Sequence, residues 1–436
     1  MFVRAASCAL LFGSVSVDTT MNEAQASPRI ARTHESAVTA SSESPPRSYD
    51  KPVGNLEHPS RLSGLFTRLA ALEAGRAQAD VRIVQYGDSH TASDYGTSVA
   101  RTRLTARFGD GGRGFIPLGD PYKRLFQAGE AVTRASGFTA DEASASKHGD
   151  SDNLCGPTGI AMVTRTGGAS MTSELSASAD SYEVAYLAQP RGGSFDVYVD
   201  GKKIGHVATD QSSRAAAFRT FDVARGSHSL EVRAAGDGEL RIFGVRLDDK
   251  AFGMTFDSFG INGAKSMTPL ASNEAHQIEE LAHIAPSLVI TAYGTNETGD
   301  STTSPDEHGA AIRAFVARVQ KASPGASCLV LGPPDRGVRN GQGIGTMSKL
   351  ADIIAAQRKA ADEAGCAFFD QFSAMGGAAS IGKWSSESPP RARRDLVHLT
   401  RAGYANLADA LSRDVITAYD DWKTRSASLV SSAGTH

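Results

Sequence analysis

Ser89 lies in "RIVQYGDSHTASD" (82–94), where an apolar run ends in Gly87-Asp88-Ser89-His90. A serine displayed there is a candidate nucleophile, provided that a base and an oxyanion hole exist elsewhere. The base is found in "RRDLVHLTRAGY", where Asp395 and His398 stand three residues apart. A carboxylate at that spacing can bond one imidazole nitrogen and leave the other free to take a serine proton. Two further stretches supply oxyanion donors. In "FGINGAKS" (259–266), Gly263 offers an unobstructed backbone N–H, and in "YGTNET" (293–298), Asn296 offers its side-chain amide. Each signal has a plain structural alternative: a Gly-Asp-Ser turn, a surface Asp/His pair, a turn glycine, an Asx-turn asparagine.

What lifts the set above chance is the elements that must carry it. "VRIVQYG" (81–87), "AFGMTFDSFG" (251–260), "SLVITAYG" (287–294), "ASCLVLGPP" (326–334) and "CAFFDQF" (366–372) read as buried parallel strands. Helical patterns separate them. Ser304, Pro305 and Glu307 open a helix with a capping box over 304–320. Leu350, Ile353, Ile354 and Ala361 make a stripe in 346–364, and Tyr404, Leu407, Leu411 and Val415 make another in a Thr400-capped helix over 400–420. Strand–helix alternation of this kind predicts an α/β fold, a parallel sheet flanked by helices. Its chemistry is expected at the carboxyl ends of the strands, where Ser89, Gly263 and Asn296 fall. Between about 160 and 250 the helical period gives way to alternating polarity, with a hairpin signal at Asp200-Gly201. This predicts an inserted all-β jelly-roll or sandwich domain.

The order Ser, Gly, Asn, then Asp and His resembles the SGNH/GDSL hydrolase family. "GDSH", Gly263, "GTNE" and "DLVH" correspond to its four blocks, over residues 81–120 and 251–424. The resemblance implies Ser89 as nucleophile, His398 as general base and Asp395 as its orienting partner. It implies an oxyanion hole of Gly263, Asn296 and the Ser89 backbone N–H. His90 stands where Leu is usual, and Glu297 where Asp is usual. His90 is read as a packing or substrate-shaping residue rather than a second base. With a β-rich insertion between the first two blocks, and with "FGDGGRGFIPLG" (108–119) before it, the chain looks like the peptidoglycan O-acetylesterase branch. The implied activity is removal of O-acetyl groups from a cell-wall or extracellular polysaccharide, O-acetylated peptidoglycan first. The rivals are a polysaccharide O-acetyltransferase using the same triad and a non-catalytic glycan-binding protein.

Composition bounds the rest. The 436 residues carry a formal net charge of −3, without a clustered basic footprint, which argues against a nucleic-acid partner. The His and Cys spacings suggest no metal site, and no cofactor is expected. "AASCALLFGSVSV" with Ala24-Gln25-Ala26 reads as a signal peptide, too short for a membrane span, and predicts a periplasmic or secreted protein. The expected organisation is a signal peptide (1–26), a flexible linker (27–56) and a first catalytic part (57–120). The inserted β-domain (121–250), a second catalytic part (251–424) and a disordered tail (425–436) follow. Cys328 and Cys366 open two apolar runs that can become neighbouring strands. A bond between them is open in an oxidising compartment, but the reading favours two buried free thiols.

Overall fold

The computed structural model describes residues 50–119, 121, 131–143, 152–341 and 343–433. The expected signal peptide and most of the expected linker lie outside the described residues. The last part of that linker does not behave as one. Leu56 is fully buried, and β1 (Leu56–Glu57) pairs with a strand near the other end of the chain. Burial of Leu56 beside Val53, with Asn55 N donating to Asp414 Oδ2 at 2.8 Å, holds this stretch in the fold.

The chain continues through α1 (Ser63–Glu73) into β2 (Val81–Gly87), then α2 (Ser89–Ala92) and α3 (Tyr95–Phe108). Nine strands follow: β3 (Gly114–Ile116), β4 (Ala131–Ser136), β5 (Thr139–Glu142), β6 (Ile160–Thr164), β7 (Ser170–Ala188), β8 (Ser194–Val199), β9 (Lys202–Ala208), β10 (Ala215–Ala234) and β11 (Leu240–Asp248). Strand–helix alternation then resumes with β12 (Met254–Gly260), α4 (Glu274–Ile284), β13 (Leu288–Ala292), α5 (Thr295–Thr298), α6 (Pro305–Ala322) and β14 (Ser327–Leu331). A short hairpin, β15 (Gly337–Asn340) and β16 (Gly343–Thr346), leads to α7 (Leu350–Ala364), β17 (Ala367–Phe369), α8 (Gln371–Met375), α9 (Ser380–Ser386) and α10 (Arg401–Ala433).

The α/β sheet has the order β1-β17-β14-β13-β2-β12, parallel throughout except for the antiparallel edge strand β1. Alternation along each strand sorts the two faces. Ile83, Ile290, Leu329 and Phe256 face α1, α3 and α10, with Phe66, Leu104 and Val415 in the same cluster. Val84, Tyr86 and Val289 face the other way, towards Leu281 of α4 and Phe315 of α6. Helix α10 continues through Ala433, beyond the expected 400–420 and into the stretch read as a tail.

The second sheet is antiparallel and lies in sequence between the adjacent strands β2 and β12, as an insertion. Its long central strands β7 and β10 pair over most of their length and slip register around Asp222, Gly226 and His228. The β8–β9 turn is the one signalled by Asp200-Gly201, with φ of 50° and 74°. The insertion is fastened to the α/β sheet. Phe115, Ala185, Leu187 and Phe243 share a core with Tyr86, Phe259 and Leu281. The buried Arg246 of β11 holds Asp257 of β12 at 2.7 Å.

Cys328 and Cys366 form a disulfide, contrary to the expectation of free thiols. Parallel pairing of β14 with β17 sets Leu329 opposite Ala367, so the two cysteines just before those positions meet. Cys155 is a free, buried thiol.

Candidate active site

The central strand β2 fixes the geometry. Gly87, its last residue, pairs with Gly260 of β12 on one side and with Ala292 of β13 on the other. Three loops therefore leave the sheet side by side, carrying Ser89, Gly263 and Asn296. Gly260 lets α2 sit directly on its neighbour, since a Cβ there would strike the backbone of Ala92. Gly263 has a φ of 79°, a conformation that favours glycine, and a Cβ there would meet nothing.

Ser89 is the first residue of a single helical turn rather than of a long helix. Asp88 caps it by accepting from His90 N at 2.9 Å, and the chain then breaks at Asp94 before α3. Ser89 Oγ lies 2.9 Å from His398 Nε2. His398 Nδ1 lies 2.9 Å from Asp395 Oδ2. Asp395 Oδ1 accepts the amides of Val397 and His398, each at 2.9 Å. Burial pushes the Asp395 carboxyl up, but those amides and the His398 ring outweigh it and hold the group below its ordinary value. The fold thus sets Ser89, His398 and Asp395 in one hydrogen-bonded line.

Asn296 Nδ2 donates to the Ala264 carbonyl at 2.8 Å, which joins its turn to the Gly263 loop. An amide nitrogen has two protons, so one remains available. Glu297, beside it, is fully buried and accepts from Ser266 N at 2.7 Å, Gly294 N at 3.1 Å and His308 Nδ1 at 2.8 Å. Burial raises its carboxyl, but the His308 hydrogen bond and charge and the Ser266 amide more than offset that. Glu297 and His308 were not legible as a pair, because no local pattern links a turn to a helix eleven residues on.

His90 is held by Tyr404, whose hydroxyl is 2.9 Å from His90 Nδ1, and its ring lies 5.5 Å from that of His398. Burial, then the nearby His398, lower its pKa to about 3, so it is neutral at ordinary pH. A neutral ring locked by a tyrosine fits the expected packing role. Asp88 is also buried, and its carboxyl is raised to about 7 by burial. Both line a cavity of about 50 Å³ together with Gln85, Thr91 and Tyr404. Among the described residues no group of three or more His, Cys, Asp or Glu is arranged to hold a metal, and no helix is long and apolar enough to cross a membrane.

Residues 224–405 match the model of the GDSL-like lipase/acylhydrolase family, a span that includes Gly263, Asn296, Asp395 and His398 but not Ser89. A solved peptidoglycan O-acetylesterase superposes with a TM-score of 0.68 at 24% identity, covering 82% of this chain and 96% of its own. A family two carbohydrate esterase from Clostridium thermocellum in complex with cellohexaose reaches a TM-score of only 0.28 at 10% identity, over 60% of this chain and 95% of that one. The acetylxylan esterase Axe2 from Geobacillus stearothermophilus reaches 0.30 at 19% identity, over 38% and 73%. These two overlaps are too poor to carry weight. No curated protein matches the chain. Residues 224–405 are thus similar to the GDSL-like lipase/acylhydrolase family, and the chain shares its α/β fold with inserted β-sheet with the solved peptidoglycan O-acetylesterase.

Proposed function

We propose that this protein is a serine ester hydrolase, an O-acetylesterase of an extracellular glycan, with O-acetylated peptidoglycan as its first candidate substrate. The observation that carries the reading is the unbroken line Ser89–His398–Asp395, with both spacings at 2.9 Å. Ser89 Oγ attacks the acetyl carbonyl while His398 Nε2 takes its proton. Asp395 holds the imidazole in the tautomer that leaves Nε2 free to accept. The tetrahedral oxyanion is met by the backbone N–H groups of Ser89 and Gly263 and by the free amide proton of Asn296. His398 returns its proton to the leaving sugar hydroxyl. Water, activated by the same ring, then releases acetate from Ser89.

The glycan part of the reading is supported by the fold shared with a peptidoglycan O-acetylesterase along nearly all of that enzyme. A periplasmic or secreted location is supported by the Cys328–Cys366 bond, since disulfides persist in oxidising compartments. The β-rich segment 121–250 is read as a domain that borders the substrate cleft. Its 153–159 stretch touches the chain on both sides of Gly263 in sequence: Asn273 N donates to Asn153 O at 3.0 Å, and a Cβ at Gly159 would lie against Ile261.

The test is acetate release from O-acetylated peptidoglycan, acetylated alginate and acetylated xylan, with wild type and Ser89→Ala. The reading requires peptidoglycan to be turned over fastest, and Ser89→Ala to be folded and inactive on all three. Persistent turnover by Ser89→Ala discards the nucleophile, and a preference for xylan discards the substrate.

A further inference from the structure

A short hairpin stands beside the catalytic loop, and the mechanism above makes no use of it. Gly337 N at its base donates to Leu396 O at 2.8 Å, so β15–β16 is tied to the segment carrying Asp395 and His398. The buried Asp335 anchors the other side, accepting from Thr346 Oγ1 at 2.8 Å and Ile381 N at 2.9 Å. Between the hairpin and α9 lies an open cavity of about 720 Å³, lined by Arg339, Asn340, Ile344, Gly382, Lys383 and Ser386. Its apolar floor backs onto the catalytic loop, because Ile344, Ile381 and Leu396 all crowd Gly337.

The charges around this feature are one-sided. Arg339, Lys383, Arg393 and Arg394 are exposed, and none has a carboxylate partner among the described residues. Arg336 reaches back to the oxyanion turn. Its Nη1 donates to Thr295 O at 2.5 Å, and its guanidinium lies flat on Gly299, where a Cβ would collide with it. It too forms no ion pair among the described residues, although the buried Asp88 carboxyl is near. Lys349 donates to the Asp300 and Thr303 carbonyls. The opposing carboxylates are already engaged: Asp300 with Lys265 at 2.5 Å, Glu387 with Arg391 at 2.5 Å, and Asp395 with His398. An acidic chain, at −3 overall, thus carries Arg339 on the hairpin, Lys383 on α9 and Arg393 and Arg394 just before Asp395, with Arg336 reaching to the Asn296 turn.

We infer that the hairpin and α9 form a subsite for a carboxylate carried by the glycan, with Arg339 and Lys383 as its contact residues and Arg336 extending the positive field to the reacting end. This rests on the glycan reading above and narrows it to anionic glycans. A neutral polysaccharide gains nothing from uncompensated cations, whereas a strand bearing carboxylates is steered by them and held in register. Two sources share this chemistry: a uronic acid in the strand, or the lactyl and peptide carboxylates of peptidoglycan. Contacts at an exposed rim act on binding and encounter more than on the chemical step, so the effect belongs in KM and in its salt dependence.

The experiment compares wild type with the Arg339→Gln/Lys383→Gln double variant on four substrates: acetylated alginate, O-acetylated peptidoglycan, acetylated cello-oligosaccharide and p-nitrophenyl acetate. With wild type, kcat/KM on at least one carboxylate-bearing glycan falls as salt is raised. The double variant raises KM on that glycan roughly tenfold. It leaves the neutral oligosaccharide and the chromogenic ester unchanged. Whether alginate or peptidoglycan responds tells the uronate source from the lactyl and peptide source. Glycan deacetylation that is indifferent to both salt and the double substitution overturns the subsite alone. Hydrolysis of p-nitrophenyl acetate with no glycan turned over removes the glycan reading, and this inference with it.

Discussion

Asn296 Nδ2 and the Ala264 carbonyl meet at 2.8 Å, so the side chain read as an oxyanion donor is aimed by the loop that carries Gly263. One amide proton is spent on aiming, and the other is left for the developing charge. Asn296→Ala should lower kcat by roughly 100- to 1,000-fold with little change in KM on a simple acetate ester, because such donors act on the oxyanion rather than the ground state. Steady-state kinetics decide it: a change confined to KM would reduce Asn296 to a substrate contact.

Asp395 serves two ends with two oxygens: Oδ1 takes the amides of Val397 and His398, and Oδ2 takes the ring. In Asp395→Asn the amide oxygen keeps the backbone bonds, while the NH2 group turns towards His398 Nδ1. That forces the proton onto Nε2, facing Ser89, where a base is needed. Loss in kcat should be roughly 1,000- to 10,000-fold without loss of fold, checked by kinetics beside a circular-dichroism melt. A mild effect would mean that the carboxylate is not setting the tautomer.

Glu297 props both oxyanion loops from below, through Ser266 N and Gly294 N. Glu297→Gln keeps an acceptor for one set of partners but presents an NH2 group where an acceptor is needed. A buried donor left unpaired costs about 1–3 kcal/mol, so the melting temperature should fall. The kcat should fall with it, because Gly294 caps the turn that carries Asn296. A drop in stability at unchanged kcat would assign Glu297 to the fold alone.

Much of this site was readable because each piece is local. Apolar runs mark five strands of the α/β sheet, and short polar motifs mark Ser89 and Asn296 just after two of them and Asp395 and His398 just before α10. Asp200-Gly201 announced its hairpin by turn chemistry alone. What stayed hidden depends on partners distant in the chain. Leu56 makes an edge strand only because Phe369 waits for it. Glu297 needs His308, and Arg336 needs a glycine at position 299, yet none of these residues signals the other. The Cys328–Cys366 bond follows from the register of two parallel strands, which composition does not encode.

That bond closes a separation of 38 residues at the start of β14 and β17, while the candidate site lies at the opposite strand ends. Chain-entropy reasoning assigns such a loop about 4 kcal/mol of stabilisation. The Cys328→Ala/Cys366→Ala variant should therefore melt well below wild type, yet keep the wild-type kcat on a simple ester at 25 °C. Parallel loss of kcat in a folded variant would show that the bond reaches the site.

Asp88 offers a stability signature with a definite sign. It is 1% exposed and caps α2, and burial lifts its carboxyl from 3.8 to about 7, with Glu297 adding repulsion while the His90 amide and Thr295 pull the other way. Between these two values the folded protein holds a proton on Asp88 that the unfolded chain has released. Its contribution to stability is therefore fully present below pH 3.8, declines as pH rises, and is gone above about 7. The span corresponds to something on the order of 4 kcal/mol. Asn accepts from a capping amide as well as Asp and cannot ionise. Asp88→Asn should thus melt close to wild type at low pH, gain on it steadily from about pH 4 to 7, and hold a constant lead beyond. Melting temperatures of the two proteins across that range provide the measurement. A difference that does not vary with pH would mean that Asp88 is already ionised in the folded protein, and that the amide and hydroxyl around it outweigh its burial.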